Sequence, residues 1–306
     1  MSTTLFIGLG RMGRPMSAHI AQRFPTLVND VVPASIEAAV AESAAKPLLD
    51  LSEAAGIGTV ILMLPTSDHV EATLLGSGSL GDDSLGGGLL DRLDAGALVI
   101  DMGSSVPAST RRLAEAAAAR GIDYVDAPVS GGISKAASGE LTMLVGGETA
   151  AIERARPYLE AVGSTIVVVG GSGAGHAAKA INNLVSATNI AVASEAVLRA
   201  KAAGISPERM IEVLNSSTGM SQASRVKFVE HILPGGYASN FAYDLMLKDI
   251  GIAMQIEVPE AASPLSREAY RLLSEGRPLL GEHPDHTEIA RIYEHLAETT
   301  INEEEA

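Results

Sequence analysis

Thr4-Leu5-Phe6-Ile7-Gly8-Leu9-Gly10-Arg11-Met12-Gly13 decides the fold of this chain. Its first four residues read as a short buried strand, and the glycines that follow are spaced G-x-G-x-x-G, the pattern of a tight turn that opens a helix. The first glycine permits the turn, the second lets backbone approach a pyrophosphate, and the third brings helix and strand together. The helix N-terminus adds unsatisfied N–H groups and a positive end suited to an anion. The stretch therefore predicts a βαβ unit holding a dinucleotide, with Gly8, Gly10, Arg11, Met12 and Gly13 on the cofactor. Asp30 ends the next strand, 17 residues past Gly13, close to where such a unit places an acid. A carboxylate there holds both ribose hydroxyls of NAD and repels the 2′-phosphate of NADP, while Asn29 beside it leaves NADP open.

Outward from this stretch, strand-like runs alternate with Ala-rich helical stretches. The strands are expected at Thr4–Ile7, Leu27–Asn29, Val60–Leu64, Leu98–Asp101, Tyr124–Asp126, Thr142–Val145 and Thr165–Val168, with helices such as Ile36–Ser43 and Thr110–Arg120 between the early ones. Such alternation implies crossover connections and a parallel sheet. The last strands lie closer together with less helix between them, which predicts an antiparallel edge. After Gly170-Gly171-Ser172-Gly173-Ala174-Gly175 the reading is helical almost to the end, starting with one long stretch, Ala178–Ala203, that Gly204 closes. Further helices follow Ser206-Pro207 and begin before Leu245. The expected fold is α/β: a Rossmann-type, doubly wound, mostly parallel sheet over 1–168, then an all-helical domain over 169–306 joined by the long helix. Gly76–Gly88 reads as an exposed loop and Asn302–Ala306 as a fraying acidic tail.

Composition narrows the function classes. Apolar residues make up 46% of the 306 and charged residues 19%, the profile of a globular protein with room for two cores. The net charge of −15 opposes phosphate backbones and anionic lipid, so nucleic acid and membrane are excluded as partners. An anionic substrate then needs a local positive focus. With no cysteine there is no disulfide framework, thiolate nucleophile or Cys-ligated metal. Met-Ser-Thr-Thr runs straight into a strand without a basic or cleavable segment, which gives a cytoplasmic expectation.

Two further clusters carry chemistry. Asp126-Ala-Pro-Val-Ser130-Gly131-Gly132 follows a strand, on the sheet edge where ligands collect. The Ser130 hydroxyl and two glycine amides can nest a carboxylate, though read alone such a segment is more often a tight turn than a site. In Gly175-His-Ala-Ala-Lys179-Ala-Ile-Asn182-Asn183, Lys179 and Asn183 stand four apart on one apolar helix face. A lysine there either snorkels outward or serves a cleft. His176 reads as a helix-start residue and Glu195 as a structural pairing partner. His283 and His286 flank Pro284-Asp285 without further ligands, so no metal is expected.

Taken together the motifs resemble those of the β-hydroxyacid dehydrogenase family, in the family's order and across nearly the whole chain. Phe6–Met16 matches the cofactor signature and Met63-Leu64-Pro65 the loop lining the nicotinamide side. Asp101-Met-Gly-Ser104-Ser-x-Pro107 matches the segment at the nicotinamide ribose, and Asp126–Gly132 the substrate-carboxylate motif. Gly173-x-Gly175-x-x-x-Lys179-x-x-x-Asn183 matches the catalytic motif, and Lys248-Asp249 the late lysine that reaches cofactor and substrate. The resemblance implies a 3-hydroxyisobutyrate dehydrogenase-like enzyme that moves hydride between NAD(P) and a small anionic 3-hydroxy acid. Lys179 is then the general acid and base, Asn183 orients the reacting oxygen, and Ser130, Gly131 and Gly132 hold the carboxylate. Leu64, Pro65, Ser104 and Lys248 touch the cofactor, and the protein is a homodimer or homotetramer. Gly103 stands where many members have Ser, and Lys135 where some have Gly, a departure that bears on substrate choice. The rival readings are a tartronate semialdehyde reductase, an imine reductase and a non-catalytic dinucleotide-binding module. The position of Lys179 usually differs in the imine reductases, and non-catalytic relatives typically lose it.

Overall fold

The computed structural model describes residues 2–76 and 87–302, so the expected Gly76–Gly88 loop and the acidic tail fall almost entirely outside the described residues. The chain forms two compact units, Met1–Lys179 and Ala180–Ala306.

In the first unit the elements run β1 (Thr3–Ile7), α1 (Gly13–Arg23), β2 (Thr26–Asn29), α2 (Pro33–Glu42), β3 (Lys46–Pro47), β4 (Ile57–Leu62), α3 (Ser67–Leu75), β5 (Leu98–Asp101), α4 (Pro107–Ala118), β6 (Asp123–Asp126), β7 (Val129–Ser130), α5 (Gly132–Ser138), β8 (Leu141–Gly147), α6 (Thr149–Val162) and β9 (Gly163–Gly170). Across the sheet the order is β3-β2-β1-β4-β5-β6-β8-β7, with β9 on β8. The six strands from β3 to β6 pair in parallel. Strand β8 is antiparallel to β6 and β7, the expected antiparallel edge, and β9 lies parallel to β8. Successive side chains enter opposite layers. Phe6, Ile61 and Ile100 pack with Met16 and Ile20 of α1, whereas Leu5, Ile7, Val60 and Val99 pack with Val70 of α3 and Leu113 of α4. Strands covered on both faces explain apolar runs without alternation.

The strand order reverses between β1 and β4. At such a switch point the loops beyond the strands' carboxyl ends diverge and leave a crevice.

One expectation fails. The last strands are not short of helix, because α5 and the 14-residue α6 lie between them. Pro157 sits inside α6 and costs it a backbone bond. Packing overrides this breaker: Ile152, Ala155, Leu159 and Val162 are buried, Tyr158 stacks on Phe24 at 4.3 Å, and the Thr59 hydroxyl donates to Tyr158 Oη at 2.9 Å.

The long helix α7 (Ala174–Ala202) supplies the last residues of the first unit and the first of the second. It stops where expected: Gly204 N–H bonds Lys201 O and Ile205 N–H bonds Ala200 O, the paired bonds of a Schellman end. The compact units divide between Lys179 and Ala180, inside α7, whose first turn is hydrogen-bonded to Asp126. The second unit continues with α8 (Pro207–Ser216), a π-helical segment (Ala223–Ile232), α9 (Tyr243–Met254), α10 (Pro264–Gly276) and α11 (Ile289–Leu296). Ile190, Val197, Phe228, Tyr243, Ile250, Leu273 and Ile292 meet in its core. Among the described residues no helix is long and apolar enough to cross a membrane.

Candidate active site

The cofactor loop is shaped by what it has no room for. Gly8 adopts φ +96°, and a Cβ there would overlap Met63 O and stand 2.9 Å from its carbonyl carbon. A Cβ on Gly13 would overlap Gly8 O, so helix α1 meets the loop backbone to backbone. Gly10 is different: a Cβ there meets nothing within 4 Å. Its backbone therefore faces open space at the start of α1, the approach a pyrophosphate requires. Arg11 is exposed, and Met12 is half-buried against the core.

Asp30 pins this loop from the end of β2. Its Oδ2 accepts the Leu9 N–H at 2.6 Å and its Oδ1 the Val32 N–H at 2.8 Å. The Asn29 amide turns away and donates to Leu48 O at 2.8 Å. Val31 is 97% exposed and Val32 half exposed, so the segment following Asp30 offers no cation to a 2′-phosphate. The residues fit a dinucleotide: a backbone-lined opening at a helix start, with an acid on the ribose side.

Across the switch point, β4 and β5 bring up Leu64, Pro65 and Ser104. Leu64 Cδ2 lies 3.2 Å from where a Cβ on Gly8 would stand, and Pro65 is exposed. Asp101, fully buried at the end of β5, organises the Ser104 segment: it accepts Gly103 N–H at 2.9 Å, Ser105 Oγ–H at 3.0 Å and Tyr124 Oη–H at 3.3 Å. Burial, then the negative charges of Asp101 and Asp126, push the Tyr124 phenol well above its ordinary range, so it stays a donor. A Cβ on Gly103 would stand 2.8 Å from Leu64 O, so the two loops meet closely at this glycine.

Ser130 closes the short strand β7, half-buried and opposite Thr142 of β8. Gly131 and Gly132 follow at φ +133° and +71°, conformations open to glycine, in the turn read from the sequence as a carboxylate nest. The Lys135 stem lies over this turn: a Cβ on Gly131 would stand 2.7 Å from Lys135 Cδ. Lys135 itself is exposed.

Helix α7 carries Lys179, half-buried, and Asn183, 5% exposed. In the second unit Asn183 Nδ2 donates to Asp249 Oδ2 at 2.6 Å, and Lys248 Nζ stands 3.3 Å from Asp249 Oδ1. Asp249 is almost fully buried, so its carboxylate fixes the amide rotamer of Asn183 and holds one of the two amide hydrogens.

Each unit thus collects its own set. The first brings together the glycine loop, Asp30, Leu64, the Ser104 segment and the nest, and the second brings Asn183 to Lys248. Sequence reasoning quoted Asp101, Asp126 and Asp249 within motifs without giving them a role, and read His176 as a helix-start residue. A signal existed for two of them, since Asp101 and Asp126 both end strands at the ligand edge and neither apolar strand needs an acid there. His176, read as a helix-start residue, is instead fully buried.

Comparison with known proteins follows this geometry. Residues 3–171 match the family described as the NAD binding domain of 6-phosphogluconate dehydrogenase, and residues 173–293 that described as NAD-binding of NADP-dependent 3-hydroxyisobutyrate dehydrogenase. The chain is 34% identical to 2-(hydroxymethyl)glutarate dehydrogenase of Eubacterium barkeri, over 97% of this chain and 96% of that one. It is 35% identical to 3-hydroxyisobutyrate dehydrogenase of Pseudomonas aeruginosa, over 96% and 99%. Among solved structures, Mycobacterium tuberculosis 3-hydroxyisobutyrate dehydrogenase with L-serine superposes with a TM-score of 0.80 at 28% identity, covering 95% of this chain and 98% of that one. The chain belongs to the β-hydroxyacid dehydrogenase family.

Proposed function

We propose that the protein is an NAD-dependent dehydrogenase of a small 3-hydroxy carboxylic acid of the 3-hydroxyisobutyrate type. Gly8, Gly10, Arg11, Met12 and Gly13 receive the pyrophosphate and Asp30 the ribose, while Asn29, Leu64, Pro65, Ser104 and Lys248 border the rest of the cofactor. NAD, when bound, supplies the hydride acceptor. The chain's own tasks are to hold the carboxylate, orient the hydroxyl and move one proton. Ser130 with the amides of Gly131 and Gly132 takes the carboxylate. Lys179 Nζ accepts the hydroxyl proton in oxidation and returns it in reduction, and Asn183, its rotamer held by Asp249, orients the reacting oxygen. Lys179 and Lys248 supply the positive focus that a chain of net charge −15 otherwise lacks.

The observation that carries this reading is the Asp126 carboxylate. It begins the Ser130–Gly132 motif and accepts the N–H groups of Gly173 and His176 at 2.8 and 3.1 Å, so one hydrogen-bonded unit bears both the nest and the turn that precedes Lys179. Ile181, Val185 and Val192 leave apolar surface exposed along α7, which supports assembly as a homodimer or homotetramer.

The test is initial rates with NAD and NADP over 3-hydroxyisobutyrate, L-serine and threonate, and with NADH and NADPH over tartronate semialdehyde and sulfolactaldehyde-type substrates. NAD should outrun NADP, and Lys179→Ala should lower kcat by about 10²- to 10⁴-fold while NADH affinity changes little. Wild-type kcat in Lys179→Ala, or faster turnover of cyclic imines than of any hydroxy acid, would refute the reading.

A further inference from the structure

His176 lies at the N-terminal turn of α7, three residues before Lys179, and its side chain is fully buried. Three elements of the first unit close around it. From β6, Asp126 Oδ2 accepts its backbone N–H at 3.1 Å and stands 4.0 Å from Nδ1. From α4, Thr110 Oγ1 shares a hydrogen bond of 2.7 Å with Nδ1. From β5, Asp101 Oδ2 lies 3.7 Å from Nε2, which is buried and makes no hydrogen bond. Tyr124, the other titratable group of this cluster, donates to the same Asp101 oxygen.

The packing leaves this turn no slack. A Cβ on Gly175 would overlap Leu144 O and stand 2.8 Å from Asp126 Oδ2, and one on Gly146 would stand 2.8 Å from Asp126 Oδ1. The Asp126 carboxylate is thus wedged between β8 and the first turn of α7, as a cap supplied from another element. A leucine in place of the imidazole would fill comparable space without leaving an orphaned nitrogen, which is a cost to stability. The ring therefore does something other than pack. It stands between Asp101, which organises the Ser104 segment, and the turn that presents Lys179.

We infer that His176 is a positioning residue: its ring, set between Asp101, Thr110 and Asp126, fixes the first turn of α7 and so the direction in which Lys179 is presented. The inference rests on the proton-transfer role proposed above for Lys179. His176 touches neither substrate nor cofactor in this scheme, so its loss should appear in turnover and not in cofactor binding.

The test compares His176→Leu and His176→Gln with Lys179→Ala and the His176→Leu/Lys179→Ala double variant, all in the full chain. His176→Leu should lower kcat by about 10- to 100-fold, the scale of a misplacement near 1 Å, with NADH Kd within about threefold of wild type. His176→Gln, which keeps an amide within reach of Thr110, should recover part of that loss and shows whether a fall reflects orientation or misfolding. In the double variant His176→Leu should add nothing to Lys179→Ala, because positioning a residue that is absent has no effect. Wild-type kcat in His176→Leu beside an inactive Lys179→Ala would overturn this inference alone. So would a parallel fall in kcat, NADH affinity and folded fraction, or losses that multiply in the double variant. A fully active Lys179→Ala would instead overturn the proposed function.

Discussion

Two glycines of the cofactor loop, three residues apart, should respond to the same substitution in opposite ways. In Gly13→Ala the added methyl overlaps Gly8 O and stands 2.9 Å from the Gly8 carbonyl carbon and 3.3 Å from Phe6 Cε1. Backbone must move, and overpacking of this kind costs about 1–3 kcal/mol. For a domain of this size each kcal/mol shifts Tm by about 2–4 °C, so apo Gly13→Ala should melt roughly 2–12 °C below wild type. Gly10→Ala meets nothing within 4 Å, and the apo protein should melt within about 2 °C of wild type. If the opening at Gly10 is where the pyrophosphate approaches, the same methyl displaces it and breaks one charge-assisted bond worth about 1.5–3 kcal/mol. That corresponds to a loss of about 10- to 150-fold in NADH affinity. Thermal melts without ligand and NADH fluorescence titrations separate the two effects. Wild-type NADH affinity in Gly10→Ala would refute the assignment of the loop, however the Gly13→Ala protein behaved.

Three further outcomes are expected. Burial raises the Asp285 carboxyl, but hydrogen bonds from His286, Thr287 and Ser239 outweigh it and hold the group well below the usual carboxylate range. A depressed folded-state value contributes stability that is full above about pH 5 and drains as the pH falls through it, so Tm of Asp285→Asn should fall less between pH 6 and pH 3 than that of wild type; equal slopes would contradict this. Asp30→Asn removes the charge facing a 2′-phosphate, so the ratio of NAD to NADP turnover should narrow by about tenfold, and an unchanged ratio would assign the preference elsewhere. Lys135→Ala, beside the nest, should raise KM for a hydroxy acid bearing a second carboxylate by about 2- to 10-fold more than for 3-hydroxyisobutyrate; equal effects on both would remove Lys135 from substrate choice.

The legible and illegible parts divide by the range of the interactions involved. The run Thr4–Gly13 was readable because a buried strand, a turn and a helix start impose requirements on neighbouring residues. The structure adds the reason for each glycine, at Met63 O, Gly8 O and open space. The end of α7 was readable for the same reason, since Gly204 acts on the four residues before it. Helix α6 was obscured because Pro157 is a local breaker, whereas its compensation comes from Phe24 and Thr59, far away in the chain. Strand β7 has only two residues, too few for any periodicity to register.

The same division runs through the candidate site. Composition, charge and motif order name the fold and the dinucleotide, and point to Ser130, Lys179 and Asn183 as the proposed site residues, because each motif is written within a dozen residues. What those residues rest on is written elsewhere. Asp126 and Gly173 are 47 apart, and Thr110 and His176, like Asn183 and Asp249, are 66 apart. A buried polar group must find its partner wherever folding brings one, and no local spacing records that choice. His176 therefore reads in the sequence as an incidental residue at a helix start, and becomes a buried ring held by Thr110 between two carboxylates once β5, β6, α4 and α7 are assembled.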